Sequence, residues 1–252
     1  MTDKDKAFFV GWAELPPSDR RFFLQAGAVL SISALAGAAG VAAFQRPVGS
    51  GAWNLSETRE YRGILVSSPY PMLLTRDVSG ELQTALLVCE TKCGVQARLK
   101  NLADGAVVVR GTPIVRGPHA MIAVSEEMDW IRGADDASDI DIIRPKPVSL
   151  GEYTLNGEVL DTKCWFGAMN PSEGKPHKAC ASLCIRGGIP PAFYVRDIRE
   201  QSALMILTHR GRGFGPELLP FVADPVSIRG TLQQAGDLLM FDTSVDAIEF
   251  LA

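Results

Sequence analysis

Hydrophobic and polar residues fall into three regimes along the chain. From Phe22 to Phe44 no residue is charged. At a helical rise of about 1.5 Å per residue, a run of that length spans a hydrocarbon layer of about 30 Å. It is expected to be a single transmembrane helix or an export signal over 22–44. Residues 1–21 before it are polar and mixed in charge, and residues 45–56 after it, rich in Gly, Ser and Pro, read as a linker. Beyond the linker the apolar residues come in short β-branched runs punctuated by glycine, the pattern of strands and turns. The third regime is one stretch near 176–185, where small helix-compatible residues replace the strand pattern. Gly187, Gly188 and Pro190 supply its stop signal.

The strand region repeats itself. Ala106–Thr112 ends in Arg110-Gly111-Thr112, and Pro225–Thr231 ends in Arg229-Gly230-Thr231. Each is followed by a short strand, a glycine turn and an apolar strand, Met121–Val124 in the first half and Leu238–Phe241 in the second. The openings also match, Tyr61-Arg62-Gly63-Ile64-Leu65-Val66 against Leu155-Asn156-Gly157-Glu158-Val159-Leu160. Glycine inside an opening strand permits the sharp bend of a barrel corner. The fold class expected is therefore mostly β: two OB-like small barrels from an internal repeat, over 57–132 and 151–252. A linker at 133–150 joins them, and the second carries a short Cys/His helix insertion. One continuous β-sandwich is the competing architecture.

Composition narrows the function classes. The chain has a formal net charge of -4, 46% hydrophobic and 21% charged residues, and five cysteines. The acidic balance argues against nucleic acid as a partner, because phosphate binding needs a basic surface. Mean hydropathy is +0.09, so only a small part of the chain is suited to lipid. Five cysteines are too few for a disulfide scaffold and enough for one local site. There is no phosphate-binding loop, dinucleotide fingerprint, nucleophile elbow or His-Glu-x-x-His pattern.

The candidate chemistry lies in Gly157–Val195. His177, Cys180 and Cys184 stand at i, i+3 and i+7 of the expected helix and share a face. Cys164 follows the strand before them and can fold back onto that face. One imidazole and three thiols form a tetrahedral set for zinc, and iron–sulfur or copper are alternatives for the same soft donors. A disulfide from Cys164 to Cys180 or Cys184, with no metal, is the alternative in an oxidising compartment, and inert buried thiols are the third reading. Cys89 and Cys93 form a second pair, read as a local disulfide or two separate thiols. His119 is expected exposed in a Gly117-Pro118 turn, and His209–Gly213 reads as a solvated basic loop.

Two resemblances bear on this reading. Arg20, Arg21, Phe23 and Leu24 resemble a twin-arginine export signal, with Asp19 and Gln25 departing from the flanking positions. That resemblance implies export of a folded protein. The arginine pair also sets the orientation expected from the positive-inside rule, with the C-terminal part in the periplasm. Small-residue runs at Ala36-Gly37-Ala38 and Val41-Ala42-Ala43 fit a cleavage site, and an uncleaved inner-membrane anchor is the favoured outcome. Separately, Asp161, Lys163, Cys164, Gly174, Lys175, His177, Lys178, Cys180, Ala181, Cys184 and Gly187–Pro191 resemble a cysteine-rich segment of exported bacterial proteins.

These features together lead us to expect a single-pass, periplasm-facing metal-binding accessory or assembly subunit. Its partners would be the bilayer and another membrane or periplasmic protein. An electron-transfer or thiol-redox protein and a disulfide-stapled interaction module are the rival readings. The missing catalytic motifs weigh against an enzyme.

Overall fold

The computed structural model describes residues 19–29, 31, 51–77, 79–99, 102–134, 140, 142–196 and 202–251. Residues 19–29 are helical. Most of the span read as membrane-crossing, 22–44, lies outside the described residues, as do residues 45–50 of the linker. Among the described residues no helix is long and apolar enough to cross a membrane.

Residues 48–252 form one compact unit. Its first half holds β1 (Ala52–Trp53), β2 (Arg59–Val66), β3 (Met72–Arg76), β4 (Leu82–Cys89), β5 (Gly105–Arg116), β6 (His119–Val124) and β7 (Ile131–Gly133). The second holds β8 (Val148–Asp161), β9 (Pro191–Arg196), β10 (Ser202–His209), β11 (Arg212–Gly213), β12 (Pro225–Ala235), β13 (Leu238–Asp242) and β14 (Ile248–Phe250). In the first half β5-β2-β3-β4-β6 close on themselves through β5–β6, and in the second β12-β8-β9-β10-β13 close through β12–β13. The one parallel pairing of each circuit, β4–β6 and β10–β13, falls at the same place. The protein is thus mostly β, with two five-stranded barrels of the same strand order. That order fits the small barrels expected from the repeat. The cysteine helix is inserted between β8 and β9.

The repeated glycines sit where strands change partners. Gly63 faces β5, and the next three residues of β2 pair with β3. Gly157 faces β12, and the residues after it pair with β9. A Cβ on Gly63 would lie 2.1 Å from the Leu74 carbonyl oxygen, and one on Gly157 would lie 2.4 Å from that of Tyr194. The neighbouring strand can approach this closely only over a bare backbone. Gly63→Ala or Gly157→Ala is expected to cost about 3 kcal/mol, because the neighbour that must yield is backbone. For a domain of this size that lowers Tm by about 6–12 °C. Gly133→Ala, with open space around its Cβ position, is the control. Scanning calorimetry of the three variants checks this, and equal Tm values for all three would refute it.

Each barrel has its own core, built on Leu65, Leu87 and Val109 in the first and Val159, Leu207 and Phe241 in the second. A third cluster joins them. It runs from Val66, Leu86, Ile114 and Met121 to Leu160, Phe166, Ile189, Tyr194 and Met240. The barrels are therefore fused through a shared apolar layer. Cys164 and Cys184 belong to that layer.

Candidate metal centre

β8 ends at Asp161, and the chain turns at once. Residues Cys164–Ala168 make a single π-helical turn. It drives Trp165 and Phe166 into the layer between the barrels, where both are buried. His119 packs on both rings, at 5.6 and 5.5 Å between centroids, so it is half-buried and not the exposed turn residue expected. Burial holds its pKa below the ordinary histidine value. Arg116 lies over Trp165 at 4.1 Å, a cation–π contact.

After a loop, a 3-10 turn at Lys175–His177 leads into the helix Lys178–Arg186. Pro176 fits this first turn because its missing N–H has no intrahelical partner there. The helix ends as its glycines dictate. Gly188 takes a positive φ of 94°. Its N–H donates to the Ile185 carbonyl, and the Ile189 N–H donates to that of Cys184, both at 3.0 Å. That pair of bonds is a Schellman stop, and it turns Ile189 back into the core. Ala181, Cys184 and Ile185 form the buried side of the helix.

The turn and the helix bring three thiols together. The Sγ atoms of Cys164, Cys180 and Cys184 all lie within 4.8 Å of one another, and Cys164 and Cys180 are 3.8 Å apart. All three are free thiols; Cys164 and Cys184 are buried and Cys180 is partly exposed. A hydrogen bond between Cys164 and Cys184 polarises the pair. It holds Cys184 below the ordinary thiol pKa against the opposing effect of burial. The same bond, reinforced by burial, pushes Cys164 up.

His177 takes a different place from the one its helical spacing predicts. Its Nε2 is 2.9 Å from Asp161 Oδ2, with both side chains buried. Asp161 Oδ1 accepts the Cys164 backbone N–H at 2.8 Å. A buried carboxylate must be hydrogen-bonded, and His177 and the turn satisfy it. Asp161, Cys164 and His177 form a second group whose ligand atoms also lie within 4.8 Å of one another. The four residues expected as one tetrahedral set are therefore divided, with Asp161 added, between two triads that share Cys164. Either group could hold a metal ion.

The first barrel completes the site. Cys89 and Cys93 are joined in a disulfide at the end of β4. The turn they close lies against the cysteine helix. The Gly94 N–H donates to the Gly187 carbonyl at 2.9 Å, and Gln96 Nε2 donates to that of Gly188 at 3.1 Å. Gly187 comes so close that a Cβ there would lie 1.9 Å from the Lys92 carbonyl oxygen. Lys92 Nζ donates to Cys180 Sγ at 2.6 Å, and this bond raises the Lys92 pKa. Buried Lys163 donates to the carbonyls of Cys89, Glu90 and Thr91 at 2.7, 2.7 and 2.8 Å. Its ammonium also sits 4.5 Å from the Trp53 ring centre. Burial lowers its pKa to about 8, so at neutral pH it is charged and each of its three protons has an acceptor.

Spacing alone found the three cysteines, His177 and the Cys89/Cys93 pair. It missed Asp161 as a possible ligand, and Lys163 and Lys92 as cations that surround the thiols without belonging to either ligand group. Asp161 and Lys163 stood in the cysteine-rich pattern without a role, and nothing in the sequence near Lys92 pointed to Cys180. The basic loop after His209 is a tight hairpin turn, its Arg210 and Gly211 N–H groups held by Asp242 at 3.1 and 2.8 Å. It lies on neither triad. A comparison with protein-family models finds no match, and neither does a comparison with curated proteins.

Proposed function

We propose that this protein binds one soft metal ion through the thiolates of Cys164, Cys180 and Cys184. In our reading it does so as an exported, membrane-anchored accessory or assembly subunit. The observation that carries the metal reading is the convergence of three unpaired thiols on one partly buried point. Thiolates are anionic and polarisable, and such a set selects zinc or copper(I) over hard cations. Zinc is the plainest occupant. The export reading rests on Arg20, Arg21, Phe23 and Leu24, and it strengthens the metal reading. In an oxidising compartment, sulfurs 3.8 Å apart would be prone to pair as a disulfide unless an ion held them. Asp161 and His177 stand behind Cys164 and orient it, the part that outer hydrogen bonds play around metal ligands.

Elemental analysis of the full-length chain, purified without chelator, tests this. About one metal ion per chain is expected. In denaturant and chelator, alkylation without reductant should label three cysteines, and alkylation after reduction all five. A chain without metal and with one free thiol would instead carry two disulfides, which would favour the interaction module. A coloured iron–sulfur or copper centre would favour the electron-transfer reading.

A further inference from the structure

Metal binding by three thiolates leaves open whether the ion stays or is handed on. Resting on that metal-binding reading, we propose that the site releases its ion to an external thiolate acceptor by way of Cys180, with Lys92 receiving that sulfur as it leaves.

Three observations point this way. The ligands are unequal in exposure: Cys164 and Cys184 are 4% and 1% exposed, whereas Cys180 is only partly buried. An incoming ligand therefore meets the Cys180 edge first. Among the described residues the three-thiol group has no fourth His, Cys, Asp or Glu ligand, and His177 is bonded to Asp161. Sites that exchange ligands keep such a position open, whereas structural zinc sites are closed by four protein ligands. Finally, the residue at the exposed edge is a cation. Lys92 is exposed, comes from the other barrel, and places Nζ 2.6 Å from Cys180 Sγ. Its turn is held by the Cys89–Cys93 disulfide and by Lys163, so the ammonium stays at that sulfur.

The exchange balances without a redox partner. The acceptor sulfur arrives as a thiolate and forms a bond to the ion. The bond from the ion to Cys180 Sγ breaks, and Sγ leaves with its electron pair. The thiolate so formed is paired with the Lys92 ammonium. An ammonium binds a free thiolate more strongly than one whose charge is shared with a metal, so Lys92 favours departure. No electron changes hands.

The test uses the full chain loaded with zinc alone. Excess glutathione is the acceptor, and a chromogenic chelator reports released zinc. Lys92→Met is expected to bind one zinc per chain and to release it about tenfold more slowly than the unmodified protein. Lys92→Arg, which keeps the charge, should release at close to the unmodified rate. Equal rates for Lys92→Met and the unmodified protein, at equal zinc content, would overturn this inference and leave the metal reading standing. Zinc bound by none of the three would overturn both. A second measurement needs no variant: brief alkylation of the metal-free protein with peptide mapping should label Cys180 well before Cys164 and Cys184. Uniform labelling would also overturn the proposal.

Discussion

Cys184→Ser is expected to empty the site, taking metal content from about one ion per chain to a trace. Zinc held by sets of four thiolate and imidazole ligands contributes about 10–16 kcal/mol, so each ligand accounts for about 2.5–4 kcal/mol. Losing one weakens binding by about two to three decades. Cys184 is the ligand to remove because it is the most deeply buried of the three thiols. Serine at a position 1% exposed also leaves a hydroxyl in the layer between the barrels, so the protein should lose stability as well. Cys184→Ala separates the two effects: it removes the ligand and leaves no buried hydroxyl. Both variants should lose the metal, and full metal content in Cys184→Ala would sink the assignment. Acidification should act in the same direction in the unmodified protein. Protons compete with the ion for all three thiolates, so metal is retained at neutral pH and released as pH falls.

Lys163→Met should unfold the protein more readily than any other single change near the site, by about 3–5 kcal/mol. The side chain is 4% exposed, and its three protons satisfy three consecutive carbonyls of the disulfide turn. Methionine matches its length and can fill the volume, but it leaves those carbonyls without their donor. The turn is then free to lift from the cysteine helix and to carry Lys92 away from Cys180. Denaturant unfolding measures the first effect. Faster alkylation of Cys164 and Cys184 in the metal-free protein measures the second. A variant as stable as the unmodified protein would show that Lys163 is not the tie between the barrels. Because the two barrels share one apolar layer, the loss is expected in a single transition of the whole 48–252 unit, not in one half.

Much of the framework was readable from local signals. Gly63 and Gly157 marked the barrel corners because only a residue without a side chain tolerates a carbonyl at that distance. The paired Arg-Gly-Thr segments marked the matching fourth strands, and β8 starts at Val148, three residues inside the stretch read as linker. The cysteine helix was legible end to end: Pro176 falls in its first turn and Gly187-Gly188 close it. Ala52 and Trp53, read as linker, instead form β1 against β5. Their strand role comes from a partner edge that no local signal announces.

His177 shows where spacing stops being sufficient. Helical periodicity put it on the face of Cys180 and Cys184, and it is indeed close to Cys164. What it bonds to was decided by Asp161, a buried carboxylate at the end of β8 that requires a donor. Lys163 and Lys92 were invisible for a related reason. The acceptors of Lys163 lie 72 to 74 residues away along the chain, and that of Lys92 lies 88 away. A lysine's sequence neighbours say nothing about whether its ammonium will be buried among carbonyls.

The sequence by itself determined the strands, the corner glycines, the helix with its stop and the clustering of cysteines, since each depends on interactions within a few residues. Tertiary structure decided that the disulfide turn of one barrel closes over the thiols of the other. It also divided the four expected ligands, with Asp161 added, between two triads, and it set a cation beside the exposed sulfur. Those outcomes depend on which surfaces the shared apolar layer brings together. That packing is a property of the folded whole, set by burial and hydrogen-bond satisfaction across distant segments.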